Sequence, residues 1–381
     1  MKKLLLALLA VSGFGVAQAQ SSVTIYGILD VGYSGITTRS STPANGTIKT
    51  QTNKFDQSAE QSSRLGFKGS EDLGGGTSAI FTAEFQLYPE DATLSGTSSS
   101  GLVNRQTFVG LKKNGLGQFA VGTQYTPIFN ALSATDPGQT NNAVGSIIYP
   151  ANGSDVTTAS MTVRAANALT VQSASFKGAR LGAMYTANNK DTTQTGPNNL
   201  AGTNGGNTNI GGYGLNADYT YNKLFATLAY QSFKNENPTT VVSPVATANT
   251  YNFGSNVTDK QAYAAATYDF GILKAYANWI SRKSTSGFDS NQYAKRQGQQ
   301  IGVRGFFTPV VEGWASVGNG RYSAYGANQP TANFTGYQLG ANYYLSKRTN
   351  LYGIFGSTQT SSTSNGSAGA NQYAMGVRHT F

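Results

Sequence analysis

Apolar and polar residues take turns along most of this chain with a period of two. Val23, Ile25, Leu29, Val31 and Tyr33 alternate with Thr24, Tyr26, Asp30 and Gly32. Tyr213, Leu215, Ala217 and Tyr219 alternate with Gly214, Asn216, Asp218 and Thr220. Near the end, Tyr337, Leu339, Ala341 and Tyr343 oppose Gln338, Gly340 and Asn342. The last segment sets Tyr373, Met375, Val377, His379 and Phe381 against Ala374, Gly376, Arg378 and Thr380. This period belongs to an extended strand whose two faces meet different surroundings. Sixteen such segments can be drawn, the first at 22–34 and the last at 371–381. No stretch of useful length has a helical period.

The connectors are of two kinds. Short ones carry tight-turn residues, as in Asp72-Leu73-Gly74-Gly75-Gly76, Lys113-Asn114-Gly115, Asp269-Phe270-Gly271 and Ser346-Lys347-Arg348. Long ones are polar and rich in Gly, Ser and Asn, at 35–60, 88–103, 188–210, 234–258, 283–297 and 357–370. Short and long alternate, as they do when a barrel has turns at one rim and loops at the other. One long connector, 125–163, is different. It holds Ile128, Phe129, Leu132, Val144, Ile147, Ile148 and Tyr149, too many apolar groups for a loop in water. We read it as folding inward and narrowing the lumen; the alternative is packing on a neighbouring subunit.

Residues 1–19 read as a signal peptide: Lys2 and Lys3, an apolar run from Leu4 to Val11, and Ala17-Gln18-Ala19 before the cut. Removing nineteen of 381 residues leaves a single domain, 20–381, of 362 residues. That domain has no apolar run near the roughly 20 residues of a spanning helix. If it crosses a membrane, it does so as a closed barrel, the other structure that pairs every backbone group in lipid. Composition agrees. There are 46 Gly, 22 Tyr and 19 Phe with only 12% charged residues, and the mean hydropathy is −0.30. A wall with one wet face averages to such a value, and the aromatic content argues against disorder.

The formal charge is +10, or +8 once Lys2 and Lys3 are removed. The basic residues are scattered singly, which argues against nucleic-acid binding and suits either a solvated surface or a basic pore. There is no cysteine, and the one histidine, His379, lies in the closing strand. Thiolate and His-dependent catalytic or zinc sites therefore lack their residues. The glycines at 74–76 are not followed by Lys-Ser/Thr and read as a turn rather than a phosphate cradle. These features predict no enzyme and no cofactor or metal.

Several segments resemble the general porins of betaproteobacteria. They are Ser22-Val23-Thr24-Ile25-Tyr26-Gly27, Ser63-Arg64-Leu65-Gly66-Phe67-Lys68-Gly69-Ser70-Glu71-Asp72-Leu73-Gly74, Asn104-Arg105-Gln106-Thr107-Phe108-Val109-Gly110, Leu345-Ser346-Lys347-Arg348-Thr349-Asn350-Leu351-Tyr352 and Gly376-Val377-Arg378-His379-Thr380-Phe381. The resemblance implies an all-β fold, a 16-stranded antiparallel transmembrane barrel with an inward-folded constriction loop, assembled as a homotrimer. It implies a passive water-filled channel for small hydrophilic solutes and ions in the outer membrane, weakly anion-selective; a solute-specific channel or a closed adhesive barrel are the alternatives. It also implies outer-membrane lipid and lipopolysaccharide as surroundings, and Phe381 as the signal read by the barrel assembly machinery.

By that resemblance Arg64 and Arg105 line the constriction, with Arg164 a further candidate. Alternation puts Arg64 and Lys68 opposite Leu65 and Phe67, hence toward the lumen, but neither phase of 104–112 is cleanly apolar. Asp136 and Asp155 are the expected negative side, and Glu84 and Asp30 the expected partners of lumen arginines. One departure stands out: Gly122-Thr123-Gln124-Tyr125-Thr126-Pro127 has Thr123 where the family commonly has Arg.

Overall fold

The computed structural model describes residues 22–94, 101–149, 163–192, 206–236, 256–287, 289–325, 331–361, 363 and 366–381. Among these, seventeen antiparallel strands form one sheet that closes on itself. In chain order they are β1 (Ser22–Thr42), β2 (Gly46–Gln57), β3 (Arg64–Gly74), β4 (Thr77–Gln86), β5 (Val103–Lys113) and β6 (Gly117–Tyr125). After a helix, α1 (Pro127–Thr135), come β7 (Arg164–Ser173), β8 (Ala179–Thr192), β9 (Gly206–Tyr221), β10 (Leu224–Glu236), β11 (Val257–Asp269) and β12 (Lys274–Ser286). The chain ends with β13 (Tyr293–Thr308), β14 (Val311–Tyr325), β15 (Ala332–Tyr344), β16 (Thr349–Thr360) and β17 (Ser367–Thr380).

Seventeen strands fill sixteen places in the wall. β1 pairs along one edge with β17 and along the other with both β2 and β3: Val31 to Thr42 oppose β2, and Ser22 to Ile28 oppose β3. β2 and β3 are thus one stave broken at 58–63. Asp30 bridges the break. Its carboxylate accepts from the backbone N–H groups of Glu60 (2.9 Å) and Gln61 (2.6 Å) and from the Tyr352 hydroxyl (2.7 Å). Asp30 therefore caps the break and does not pair with a lumen arginine. The ring is sealed where Gly27 and Phe381 exchange backbone hydrogen bonds of 3.1 Å.

The alternation read from the sequence is the wall's inside-outside pattern. On β15, Tyr337, Leu339 and Tyr343 are exposed outward while Gln338 and Asn342 are buried inward. On β17, Tyr373, Met375 and Val377 face out and Gln372 and Ala374 face in. The polar face is buried because the loop lies against it, and the apolar face is bare because lipid is its solvent.

Several expected connectors are shorter than the sequence suggested. Residues 35–60 are mostly strand: β1 continues to Thr42, turns at 43–45, and returns as β2. β8, β12 and β16 run past their expected ends, and β9, β13 and β17 start early. At this rim both faces of a strand meet water, so no apolar period marks it. α1 was not expected either; nine residues are too few to show a period.

A charge on the outer face tests the assignment of faces. Leu339→Arg is expected to lower folding stability by about 2–4 kcal/mol, the cost of a basic side chain near the bilayer midplane. Urea titration of the protein in lipid vesicles would measure it.

Candidate pore constriction

The loop after β6 enters the barrel. Thr126 caps α1, its hydroxyl accepting from Phe129 N–H at 3.2 Å, and Pro127 occupies the first turn, where a missing N–H costs nothing. α1 lays Ile128, Ala131 and Leu132 on Ala229, Tyr263, Ala265 and Ile280 of the inner wall, with Ile148 completing the cluster. These are the apolar residues that made 125–163 unusual for a loop. The loop folds inward as expected, over the described part, 125–149.

Beyond α1 the loop is pinned to the wall by side-chain amides. Gln300 Nε2 donates to Asp136 Oδ1 (3.2 Å), and Ile147 N–H donates to Gln300 Oε1 (2.8 Å). Asn141 and Gln338 exchange hydrogen bonds of 3.0 and 2.9 Å, and Gln338 also donates to Ala143 O (2.7 Å) and Val144 O (3.0 Å). Val144 N–H donates to Gln372 Oε1 (3.0 Å). Arg304 and Arg296 donate to the carbonyls of Pro137 (2.9 Å) and Ile147 (2.6 Å). Close contact needs glycine at Gly145, whose φ is +115° and whose Cα faces the Tyr337 carbonyl with no room for a Cβ.

The basic cluster stands on the wall segment formed by β3 to β7. Arg64 is half-buried on the inner face of β3, with its Nη1 3.9 Å from Glu84 Oε1. Arg105 Nε lies 2.8 Å from the same oxygen; its other nitrogens donate to Gln86 Oε1 and, at 3.0 Å, to the Tyr125 hydroxyl. Tyr26 donates to Glu84 Oε2 at 3.1 Å. Arg164 opens β7 and donates to Asn104 O at 3.4 Å. Tyr125, Phe129 and Tyr149 stack in sequence beside the cluster, with ring centroids 4.7 and 5.9 Å apart. Below α1 a polar cavity of about 370 Å³ is bordered by Gln106, Gln124, Asn130, Arg180 and Asn216.

The ambiguous phase around Arg105 has a structural cause. The β4–β5 register shifts between Glu84 and Phe85: Glu84 faces Gln106 while Phe85 faces Asn104. The bulge leaves Arg105 as an extra residue and turns it inward beside Gln106. Glu84, expected as an arginine partner, serves both Arg64 and Arg105.

Other candidates lie elsewhere. Lys68 is exposed on the same inner face as Arg64, four residues nearer the short turns, with Nζ 5.3 Å from the Tyr26 ring centroid. Asp136 is not displayed to the lumen. It caps α1 in the seam between loop and wall, accepting from Thr140 N–H (2.7 Å) and Gln300. Burial raises its carboxyl pKa above the ordinary aspartate range despite these donors. Asp155 lies outside the described residues. Thr123 sits in the β6–β7 irregularity between Gly122 and Gln124, 3.4 Å from Asn104 Nδ2. Two inward arginines were not singled out: Arg180, held by Asp218 at 2.7 Å, and Arg378, with Asn350 at 3.0 Å and Glu60 at 3.5 Å. Their phase opposite Leu181 and Val377 was the available signal.

A ring of strands with bare apolar outside and a charged, loop-narrowed inside is the form of an outer-membrane channel. A model described as Gram-negative porin matches residues 5–363. The chain belongs to that family. It is 28% identical to an outer membrane porin protein of Bordetella pertussis over the full length of both chains. It is 33% identical to outer membrane porin protein 32 of Delftia acidovorans over 136 residues, 36% of this chain and 35% of that one. In fold it matches the anion-selective porin from Comamonas acidovorans with a TM-score of 0.71 at 21% identity, covering 95% of this porin and all of that chain. OmpT of Vibrio cholerae in a trimer form gives 0.61 at 13% identity, covering 95% and 99%.

The amide pins make a direct prediction. Gln338→Leu leaves Asn141 and the carbonyls of Ala143 and Val144 without their buried donor or acceptor, a loss of about 1–3 kcal/mol. The loop is expected to loosen, and single-channel recordings of this porin should show noisier current and higher mean conductance than wild type.

Proposed function

We propose that this outer-membrane porin passes small hydrophilic solutes and ions with a weak preference for anions, set by Arg64, Arg105 and Arg164. The observation that carries the reading is a local charge imbalance. Arg64 and Arg105 share the single carboxylate of Glu84, and among the described residues Arg164 has no acid partner. Across the gap, Asp136 is spent on the loop's own pinning. A charged wall beside a narrow aqueous gap concentrates ions of opposite sign and repels its own. The name of the anion-selective porin from Comamonas acidovorans is consistent with that sign.

The proposal extends to the assembly and its setting. It takes the channel as a homotrimer, in keeping with the trimer form of the Vibrio cholerae neighbour. Residues 1–19 are a signal peptide removed on export, lipopolysaccharide surrounds the outer rim, and the strand ending in Phe381 is read by the barrel assembly machinery. Conduction involves no cofactor and no chemical step.

Reversal potentials in planar bilayers under a salt gradient test the central claim. A unit charge about 7 Å from an ion in water changes its energy by about 0.6 kcal/mol, close to one RT. Arg64→Ala and Arg164→Ala are each expected to lower the anion-to-cation permeability ratio several-fold. Glu84→Gln should raise it. A wild-type preference for cations, or a ratio unmoved by all three substitutions, would refute the assignment.

A further inference from the structure

Part of the barrel's outer face is polar. Mid-height on β13 and β14 the outward residues are Ile301, Val303 and Val317. Toward the long-connector rim they change to Gln299, Gln297 and Lys295 on β13 and to Asn319 and Arg321 on β14. With Trp279 and Thr335, the amides and Arg321 border an outward groove of about 490 Å³. Gln299 Nε2 donates to Asn319 Oδ1 across it at 2.9 Å.

Beside this groove three lysines stand in direct register on adjacent strands. Lys260 on β11 faces Lys283 on β12, and Lys283 faces Lys295 on β13. Opposed residues on one face have Cβ atoms about 4.5–5.5 Å apart, and like charges so placed destabilise the sheet. The nearby acids are engaged elsewhere. Asp259 points inward to Arg282, Glu236 pairs with Lys234, and Asp289 accepts from Asn291 and Gln292 in the connector. Among the described residues no acid forms an ion pair with Lys260, Lys283, Lys295 or Arg321. Lys283 Nζ lies 4.1 Å from the Tyr293 ring centroid.

We propose that the groove and the lysine row bind the phosphorylated sugar headgroup of an outer-leaflet glycolipid. The inference rests on the outer-membrane reading, which makes that leaflet the neighbour of the long-connector rim. The chemistry fits in layers. Ile301, Val303 and Val317 meet acyl chains. Trp279 presents an apolar body and one N–H at the boundary, as aromatic side chains do at membrane interfaces. The amides of Gln297, Gln299 and Asn319 suit sugar hydroxyls, and the lysines and Arg321 suit phosphate oxygens. Lys295 lies six residues beyond Ile301, about 20 Å along the strand, at headgroup height rather than among the acyl chains. A bound phosphate also removes the repulsion within the row.

Native mass spectrometry of the folded, detergent-solubilised protein with added bisphosphoryl lipid A tests this. Wild type is expected to hold the lipid. The fourfold variant K260Q/K283Q/K295Q/R321Q should bind it roughly tenfold more weakly, the worth of a single charge-assisted contact or more. Lys283→Arg should retain binding. Fully dephosphorylated lipid A should bind wild type as weakly as bisphosphoryl lipid A binds the variant, and millimolar inorganic phosphate should not displace the phosphorylated form. Equal binding by variant and wild type, equal binding of the dephosphorylated lipid, or displacement by inorganic phosphate would each overturn the proposal. So would a variant with altered subunit stoichiometry and intact lipid binding, which would make the face a protein contact. Bilayer conductance separates this claim from the channel reading: the fourfold variant should conduct like wild type, and a wild type without conductance would sink the channel reading alone.

Discussion

Hydrocarbon offers no partner for an N–H or a C=O, and this one fact organises the molecule. Every strand that crosses must be paired along both edges, so the sheet has to return to its own beginning, as it does between β1 and β17. Closure then creates two unlike surfaces. The outer one must be apolar to meet lipid, and the inner one can hold amides, arginines and carboxylates that would be intolerable outside. The break between β2 and β3 follows the same logic: where the ladder lapses, the Asp30 carboxylate and the Ser63 hydroxyl take over the freed backbone donors.

The inner surface builds the gap from opposite sides by different means. On the β10–β17 side, buried glutamines and asparagines fix the loop by accepting and donating at once, and a helix of nine residues seats it with apolar contacts. On the β3–β7 side, arginines project from the wall itself. Arg282, Arg296 and Arg304 are as buried as Arg105, yet they are tied to Asp259, to the loop carbonyls and to Glu312. Position on the inner face does not make an arginine available to a passing ion; its partners decide that.

The fold was legible wherever lipid lay on one side. Leu339 against Gln338 and Val377 against Arg378 report their faces because the two surroundings differ so sharply. The signal vanished where water lay on both sides, which hid β2 and the outer ends of β8, β12 and β16. Within the site, Arg64 could be assigned from its phase, but Arg105 could not, because a bulge resets the phase at that residue. Asp136 carried a charge in a loop expected near the gap, yet its backbone neighbours and Gln300 claim it, and hydrogen-bond partners nearly 200 residues apart, such as Asn141 and Gln338, leave no local trace. The inward phases of Arg180 and Arg378 were readable beforehand; their acid partners were not.

The bulge at Arg105 has a wider meaning for how much a barrel wall can carry. A regular strand aims only alternate residues at one side, so functional groups along it are spaced about 6.6–6.8 Å apart. Inserting one residue lets neighbours, Arg105 and Gln106, look the same way, and the packing limit of the pleat is exceeded at one level of the wall. A porin built from perfectly regular strands would have to recruit a further stave to crowd as many polar groups at that height, and the barrel would widen as it did so.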